Sequence, residues 1–260
     1  MPDLRISIVG AGRLGHALAA ALRHSGAIVA GPTRRGEPVA ASPADIVILA
    51  VPERSIRDAL SAAALPTGAV VGHCSASAPL DLLAPHERFN LHPLMTLNKR
   101  TATAAMAAES FRGAACAIDG STPRALEFAA TIATTLGMRA VSVPRDKRAL
   151  YHAAASIASN YLVTLESAAE RLASECGISR AELAPLARAS LESWVQGGFA
   201  QAISGPVSRG DEAVVEGQRA AIVAQAPDLV PLFDALTAST RAALAVSGEK
   251  DASAARTGEP

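Results

Sequence analysis

Three polar side chains interrupt an apolar stretch at regular spacing: His152, Ser156 and Asn160 fall four residues apart within Ala149 to Leu165. On a helix the eight residues from His152 to Asn160 are close to two turns, so the three share one face. Such groups are costly to bury unless each has a partner. The stripe is therefore either a reacting site or a polar seam between helices or across a dimer. Arg209, in the run Gly205-Pro206-Val207-Ser208-Arg209-Gly210-Asp211, is a permanently charged fork suited to a carboxylate. Asp211 reads as a helix cap and a partner for Arg209. His92, in Phe89 to Met95, stands where a strand ends and is a further candidate for touching substrate.

A second set of residues holds phosphate. Arg5 to Gly15 reads Arg-Ile-Ser-Ile-Val-Gly-Ala-Gly-Arg-Leu-Gly, a β-branched apolar run leading into Gly10, Gly12 and Gly15. This is the G-x-G-x-x-G spacing of a dinucleotide-binding turn. Gly10 permits the tight turn, Gly12 lets a pyrophosphate approach the backbone, and Gly15 lets the following helix pack on the sheet. Arg13 and Leu14 open that helix, whose N–H groups and dipole favour an anion. The next strand, Ala27 to Ala30, runs into Gly31-Pro32-Thr33-Arg34-Arg35. An acid there marks NAD and basic residues mark a 2′-phosphate; with the acid read as missing, Arg34 and Arg35 point to NADP. Val51 and Pro52 close a near-continuous apolar run, Ala44 to Val51, and His73 and Ser75 follow the run Gly68 to Gly72. All four are expected at the carboxyl ends of strands, where open α/β sheets bind ligands; Ser75 is equally a cap for the next helix.

These positions require strands alternating with helices. Further strands are expected at Ala114 to Ile118 and Met138 to Val143, with a helix at Arg54 to Ala64 and another opened by Thr122 and Pro123 and closed by Gly137. The expected fold is an α/β Rossmann domain with a parallel, doubly wound sheet over residues 1–144, followed by an all-α domain over 145–247 and a disordered tail over 248–260. In the helical part Tyr151 to Cys176 forms one long helix. Ser179 with Glu182 makes a capping box for the next, a further helix around Ser190 stops at Gly197-Gly198, Asp211 caps Glu212 to Gln225, and Asp228 caps a last helix to about Val246.

Composition narrows the partners. The 260 residues carry 24 Lys plus Arg against 24 Asp plus Glu, which removes the electrostatic case for nucleic acid or an anionic membrane and leaves a small-molecule substrate. Three widely spaced cysteines suggest neither disulfides nor a metal site, and are expected to be reduced and buried in a cytoplasmic protein. No signal peptide and no membrane span are expected, the nearest stretch being Ala149 to Leu165.

An N-terminal NADP-type Rossmann domain before a helical domain resembles the 6-phosphogluconate dehydrogenase-like superfamily, which includes ketopantoate reductase and pyrroline-carboxylate reductase. More narrowly, His92-Pro93-Leu94, Tyr151-His152-Ala153-Ala154-Ala155, Ser159-Asn160-Tyr161 and the Gly205 to Asp211 run resemble signatures of Rossmann-like proteins carrying the DUF2520 domain. The resemblance implies an oxidoreductase reducing a small oxo acid or imine, in a homodimer. Several superfamily members carry a Lys four residues before the Asn of the long helix; here that position is Ser156, too weak an acid for the role. His152 is the substitute proton donor, with Ser156 and Asn160 orienting the substrate oxygen and Arg209 its carboxylate. Ketopantoate reductase-like activity and a non-catalytic NADP-binding sensor are the alternatives.

Overall fold

A computed structural model of the chain describes residues 4–34, 36–37, 44–63, 65–97 and 104–256. Two compact units emerge, Met1–Ser159 and Asn160–Pro260; the sequence reading divides the chain near Pro144.

The first unit is built on a seven-stranded sheet in the order β2-β1-β3-β4-β5-β6-β7. Its strands are β1 Arg5–Val9, β2 Ile28–Thr33, β3 Ile46–Leu49, β4 Val70–His73, β5 Arg88–Pro93, β6 Ala115–Gly120 and β7 Arg139–Ser142. Helices α1 Arg13–His24, α2 Ile56–Ala62, α3 Ala104–Phe111, α4 Pro123–Thr135 and α5 Arg148–Ser156 complete it, and a 3-10 turn, Glu53–Ser55, opens the helix expected from Arg54. Alternation along β3 shows why the strand is apolar throughout. Ile46 and Ile48 join a core with Leu18, Leu22 and Phe89, while Val47 and Leu49 join another with Ile56 and Leu83. Both faces are thus covered, as a parallel strand requires. The strand order reverses between β2-β1 and β3, the switch point outside which such sheets bind ligands.

The expected α/β Rossmann-type class is what the structure shows, with one change of direction. β6 runs antiparallel to β5, pairing Asn90 with Asp119 and His92 with Ala117, while β7 is again parallel to β6. The apolar content of β6 is the same in either direction, so the reversal leaves no pattern in the sequence. Local signals fare better: Thr122 accepts from the Ala125 N–H at the start of α4, with Pro123 in the first turn.

The long helix expected from Tyr151 to Cys176 is broken by a π-helical turn, Ile157–Tyr161, between α5 and α6 Leu162–Ser174. The second unit, from Asn160, contains α6, α7 Arg180–Ala202, α8 Pro206–Arg209, α9 Glu212–Gln225 and α10 Val230–Arg256. Ser179 and Glu182 form the capping box, and α7 continues past Ser190 to a break at Gly198, whose φ is +67°. Asp211 caps α9 through the Val214 N–H. Asp228 does not cap α10 but takes a bidentate ion pair from Arg171 at 2.6 and 2.8 Å. Arg219–Asp234, Arg180–Glu170 and Arg241–Glu212 are further ion pairs between helices. All lie at the surface, where screening by solvent leaves such pairs with little effect on stability.

Two expectations from composition change. Cys74 and Cys116 are buried and free, but Cys176 is exposed. Pro227–Ser247, with hydropathy 1.3, is long and apolar enough to cross a membrane by length and composition. Asp228, Asp234 and Arg241 punctuate it, and in the folded unit all three are in ion pairs with other helices.

Candidate active site

The glycine turn separates what the protein needs from what a ligand needs. Gly10 has φ +110°, and a Cβ there would lie 2.4 Å from the Ala50 carbonyl oxygen; a Cβ on Gly15 would lie 1.8 Å from the Gly10 oxygen. Packing of the protein itself explains both. A Cβ on Gly12 would meet nothing within 4 Å, and Gly12 is the N-cap of α1 with no side-chain cap and no acid in the first turn. The backbone there is left open beside the positive end of a helix dipole, which suits a pyrophosphate. Leu14 packs against the core, and Arg13 Nη1 donates to the Leu97 carbonyl at 3.0 Å.

Beside this turn lies a cavity of about 450 Å³ whose lining includes Gly10, Thr33, Arg34, Glu37, Val51 and Asp58. Of the residues assigned to the cofactor, Arg34 and Val51 line this cavity; Arg35 lies outside the described residues, and Pro52 is exposed at the start of the 3-10 turn. An acid is nevertheless present. The Arg34 N–H donates to Glu37 Oε2 at 2.7 Å, and the Glu37 N–H returns to the Arg34 carbonyl at 3.1 Å. Glu37 stands 22 residues after Gly15, at the spacing sought for a ribose-binding acid, so the acid read as missing from the sequence is present.

At the carboxyl ends of β4 and β5 a polar network is buried that the sequence did not announce. Asn90 Nδ2 donates to the Ser75 carbonyl at 2.8 Å and shares its other hydrogen between the His73 carbonyl and Nδ1, each at 3.1 Å. Asn90 Oδ1 accepts from Arg148 Nη1 at 3.0 Å, and Arg148 Nη2 reaches Asp119 Oδ2 at 3.3 Å. Arg148 is 9% exposed, so its charge is held by these two groups. His73 is fully buried, lying beneath the surface rather than along a cleft. With donors from Asn90 and the Ser75 N–H at Nδ1, its proton sits on Nε2. Burial, then the Arg148 charge, pushes the His73 pKa down to about 4.

Ser75 and Ser77 both donate to Glu53 Oε2 at 2.7 Å, and these two bonds, with Ser77 the larger cause, lower the Glu53 pKa. The Ser75 oxygen also accepts from the Ala78 N–H, within the turn before the 3-10 helix Leu80–Leu83; that helix starts after Pro79 with no side-chain cap, so Ser75 does not cap it. His92 Nδ1 and the Tyr151 hydroxyl share a 2.7 Å hydrogen bond with the rings edge to face. Burial first, then the charges of His152 and Arg148, pushes His92 down to about 4, while burial pushes Tyr151 up to about 12. His152 is exposed on α5, and its charge acts on both Glu53 and His92. Together these groups form a fixed carboxylate, a neutral imidazole–phenol pair and an accessible imidazole at one end of the sheet.

The stripe His152, Ser156 and Asn160 does not follow a single α-helical count. Ser156 ends α5 and Asn160 lies in the π-helical turn, whose wider i→i+5 bonding shifts the phase of every residue beyond it. Asn160 and Arg209 belong to the second unit. There Arg209 ends α8 before Gly210, which takes the left-handed conformation, and no ion pair joins it to Asp211 among the described residues. No group of three or more metal-ligating side chains occurs among the described residues.

Residues 114–240 match the family model described as Domain of unknown function (DUF2520). A search of curated proteins finds no match. Among solved structures, a Bacteroides fragilis protein named as a proposed NADP oxidoreductase superposes with a TM-score of 0.76 at 20% identity, covering 92% of this chain and 98% of that one. A Thermotoga maritima protein gives 0.72 at 22% identity, covering 94% and 99%. The 1-pyrroline-5-carboxylate reductase of Streptococcus pyogenes gives 0.60 at 15% identity, covering 92% and 98%. The chain is therefore similar to DUF2520 proteins over residues 114–240 and shares the fold of Rossmann-type reductases.

Proposed function

We propose that this protein is an NADP-dependent oxidoreductase that reduces a small oxo acid or imine. The observation carrying the proposal is Gly12: the protein's own packing makes no demand for a glycine there, whereas a pyrophosphate at the α1 N-terminus does. Arg34 in the adjoining cavity, with Arg35, favours the 2′-phosphate. The names of similar proteins point the same way, one as an NADP oxidoreductase and one as a reductase of a cyclic imine acid. When bound, NADPH would supply the hydride; the chain would bind and orient the substrate, exclude water and deliver a proton.

His152 is the proposed proton donor, exposed and electrostatically in reach of Glu53 and His92. Ser156 and Asn160 are assigned to orienting the substrate oxygen and Arg209 to its carboxylate, on residue chemistry alone. One observation favours a second donor: the Tyr151 hydroxyl stays protonated at neutral pH and is hydrogen-bonded to a neutral His92, through which it could be reprotonated. Ketopantoate reductase-like activity is the narrower alternative, and a non-catalytic NADP sensor the broader one, kept by Ser156 in the usual lysine position. Nucleotide titration followed by a screen of oxo acids and imines separates them: binding without turnover on any of them favours the sensor.

A homodimer belongs to the same proposal. Among the described residues of the second unit only Val215, Ile222 and Ala226 are buried apolar side chains, while Val163, Leu186, Leu191, Trp194 and Val195 are exposed. Apolar surface on that scale calls for a partner, and a second copy is the simplest.

A further inference from the structure

We propose that Arg148 is the positioning residue of the site: its guanidinium fixes α5 on the sheet and thereby sets where the two candidate proton donors, Tyr151 and His152, stand. What those donors do rests on the reductase reading; where they stand does not.

The composition of α5 calls for such an anchor. It reads Arg-Ala-Leu-Tyr-His-Ala-Ala-Ala-Ser, and Arg148 is the only buried residue in it. Leu150, its one large aliphatic side chain, is 68% exposed. By contrast, α1 buries Leu18 and Leu22, and α4 buries Ile132. Apolar packing of that kind is non-directional and tolerates small slides, whereas the hydrogen bonds that hold α5 do not.

Two rungs join α5 to β5. Arg148 Nη1 donates to Asn90 Oδ1 at 3.0 Å, and the Tyr151 hydroxyl, three residues on, meets His92 Nδ1 at 2.7 Å, two residues on from Asn90. Three along a helix and two along a strand each keep to one face, so the rungs stack. Both acceptors of the guanidinium are themselves immobile. Asn90 is fully buried, with its amide hydrogens taken by the Ser75 and His73 carbonyls, and Asp119, 3.3 Å from Arg148 Nη2, accepts the Gly120 N–H on its other oxygen. A planar fork set between fixed acceptors on β5 and β6 selects one axial position and one rotation of the helix. Tyr151 and His152, one turn on, inherit both. A lysine keeps the charge but has no flat fork, so it cannot meet both acceptors in the same geometry.

The test is proton–nitrogen NMR of the imidazole rings in the full chain and in Tyr151→Phe, Arg148→Lys and Arg148→Gln, with the His92 signal identified among the six histidines by its loss in His92→Gln. His16 and His24, on α1, report whether the first unit is folded. Tyr151→Phe moves the His92 Nδ1 resonance by removing its partner. The expected result is that both Arg148 variants move it the same way while His16 and His24 stay unchanged; Arg148→Lys, which retains the buried charge, is the variant that folds if Arg148→Gln does not. A His92 resonance at the parent position in a folded Arg148 variant overturns the positioning role. On whichever oxo acid or imine turns over, Arg148→Lys lowers kcat by about 10-fold or more with dinucleotide affinity unchanged, and the loss disappears in the background lacking the donor, Tyr151→Phe or His152→Ala. A loss that persists in full in both backgrounds overturns the role as well. Failure of the parent protein to bind either dinucleotide overturns the reductase reading alone, since the imidazole signals are read without it.

Discussion

The Tyr151 hydroxyl lies 2.7 Å from His92 Nδ1, joining the first turn of α5 to the end of β5. His152, the next residue, is exposed and makes no such bond. Two adjacent side chains therefore offer two routes for one proton, and they predict different mutants. His152→Ala is expected to lower kcat by about 10²-fold or more on whichever oxo acid or imine turns over, with NADPH affinity unchanged. If turnover persists in His152→Ala and is lost in Tyr151→Phe, the phenol is the donor.

Burial of two neutral imidazoles gives the fold an acid limit. His73 and His92 are both held at about 4, against 6.5 in the ordinary imidazole. Between those values the unfolded chain binds more protons than the folded one, so stability rises with pH there. The contribution is complete above about pH 6.5 and disappears as the pH falls to about 4, at most about 3 kcal/mol for each residue. Urea unfolding at several pH values should show this fall, and His92→Gln should remove roughly half of it. A stability flat from pH 7 to 4.5 would contradict the burial of these rings.

The three glycines of the turn should respond differently to alanine. Gly10→Ala and Gly15→Ala put a methyl group into backbone and are expected to destabilise the protein by several kcal/mol or prevent its folding. Gly12→Ala meets no atom within 4 Å, so it should cost about 1 kcal/mol or less, as a change of N-cap residue, and yet weaken dinucleotide binding at least 10-fold. Unchanged binding in a well-folded Gly12→Ala would remove the pyrophosphate from this site.

The exposed apolar side chains of the second unit predict self-association. Sedimentation at micromolar concentration should give twice the chain mass of 26.4 kDa. A single chain in solution would leave Trp194 and its neighbours without a physical account.

What the sequence discloses and what it conceals divides along range. Gly10, Gly12 and Gly15, the Thr122 cap and the Ser179–Glu182 box are legible because each signal lies within a few residues of its effect. The Asn90–Arg148–Asp119 chain is not, since Asn90 and Arg148 are 58 residues apart and no periodicity links them. Only folding shows that the reversed strand β6 brings Asp119 beside Asn90. The π-helical turn was equally hidden, because Ile157–Tyr161 has the composition of an ordinary helix. Glu37 was in plain sight at a telling spacing, but its carboxylate is known to face the Arg34 amide only from the folded turn.

The central claim is an NADP site, and the most direct test is a side-by-side fluorescence titration with NADPH and NADH, repeated with Arg34→Ala. Tighter binding of NADPH that falls by about 10-fold or more in Arg34→Ala, with NADH little changed, is the predicted result. Binding of neither nucleotide, or a preference for NADH that Arg34→Ala leaves untouched, would contradict it.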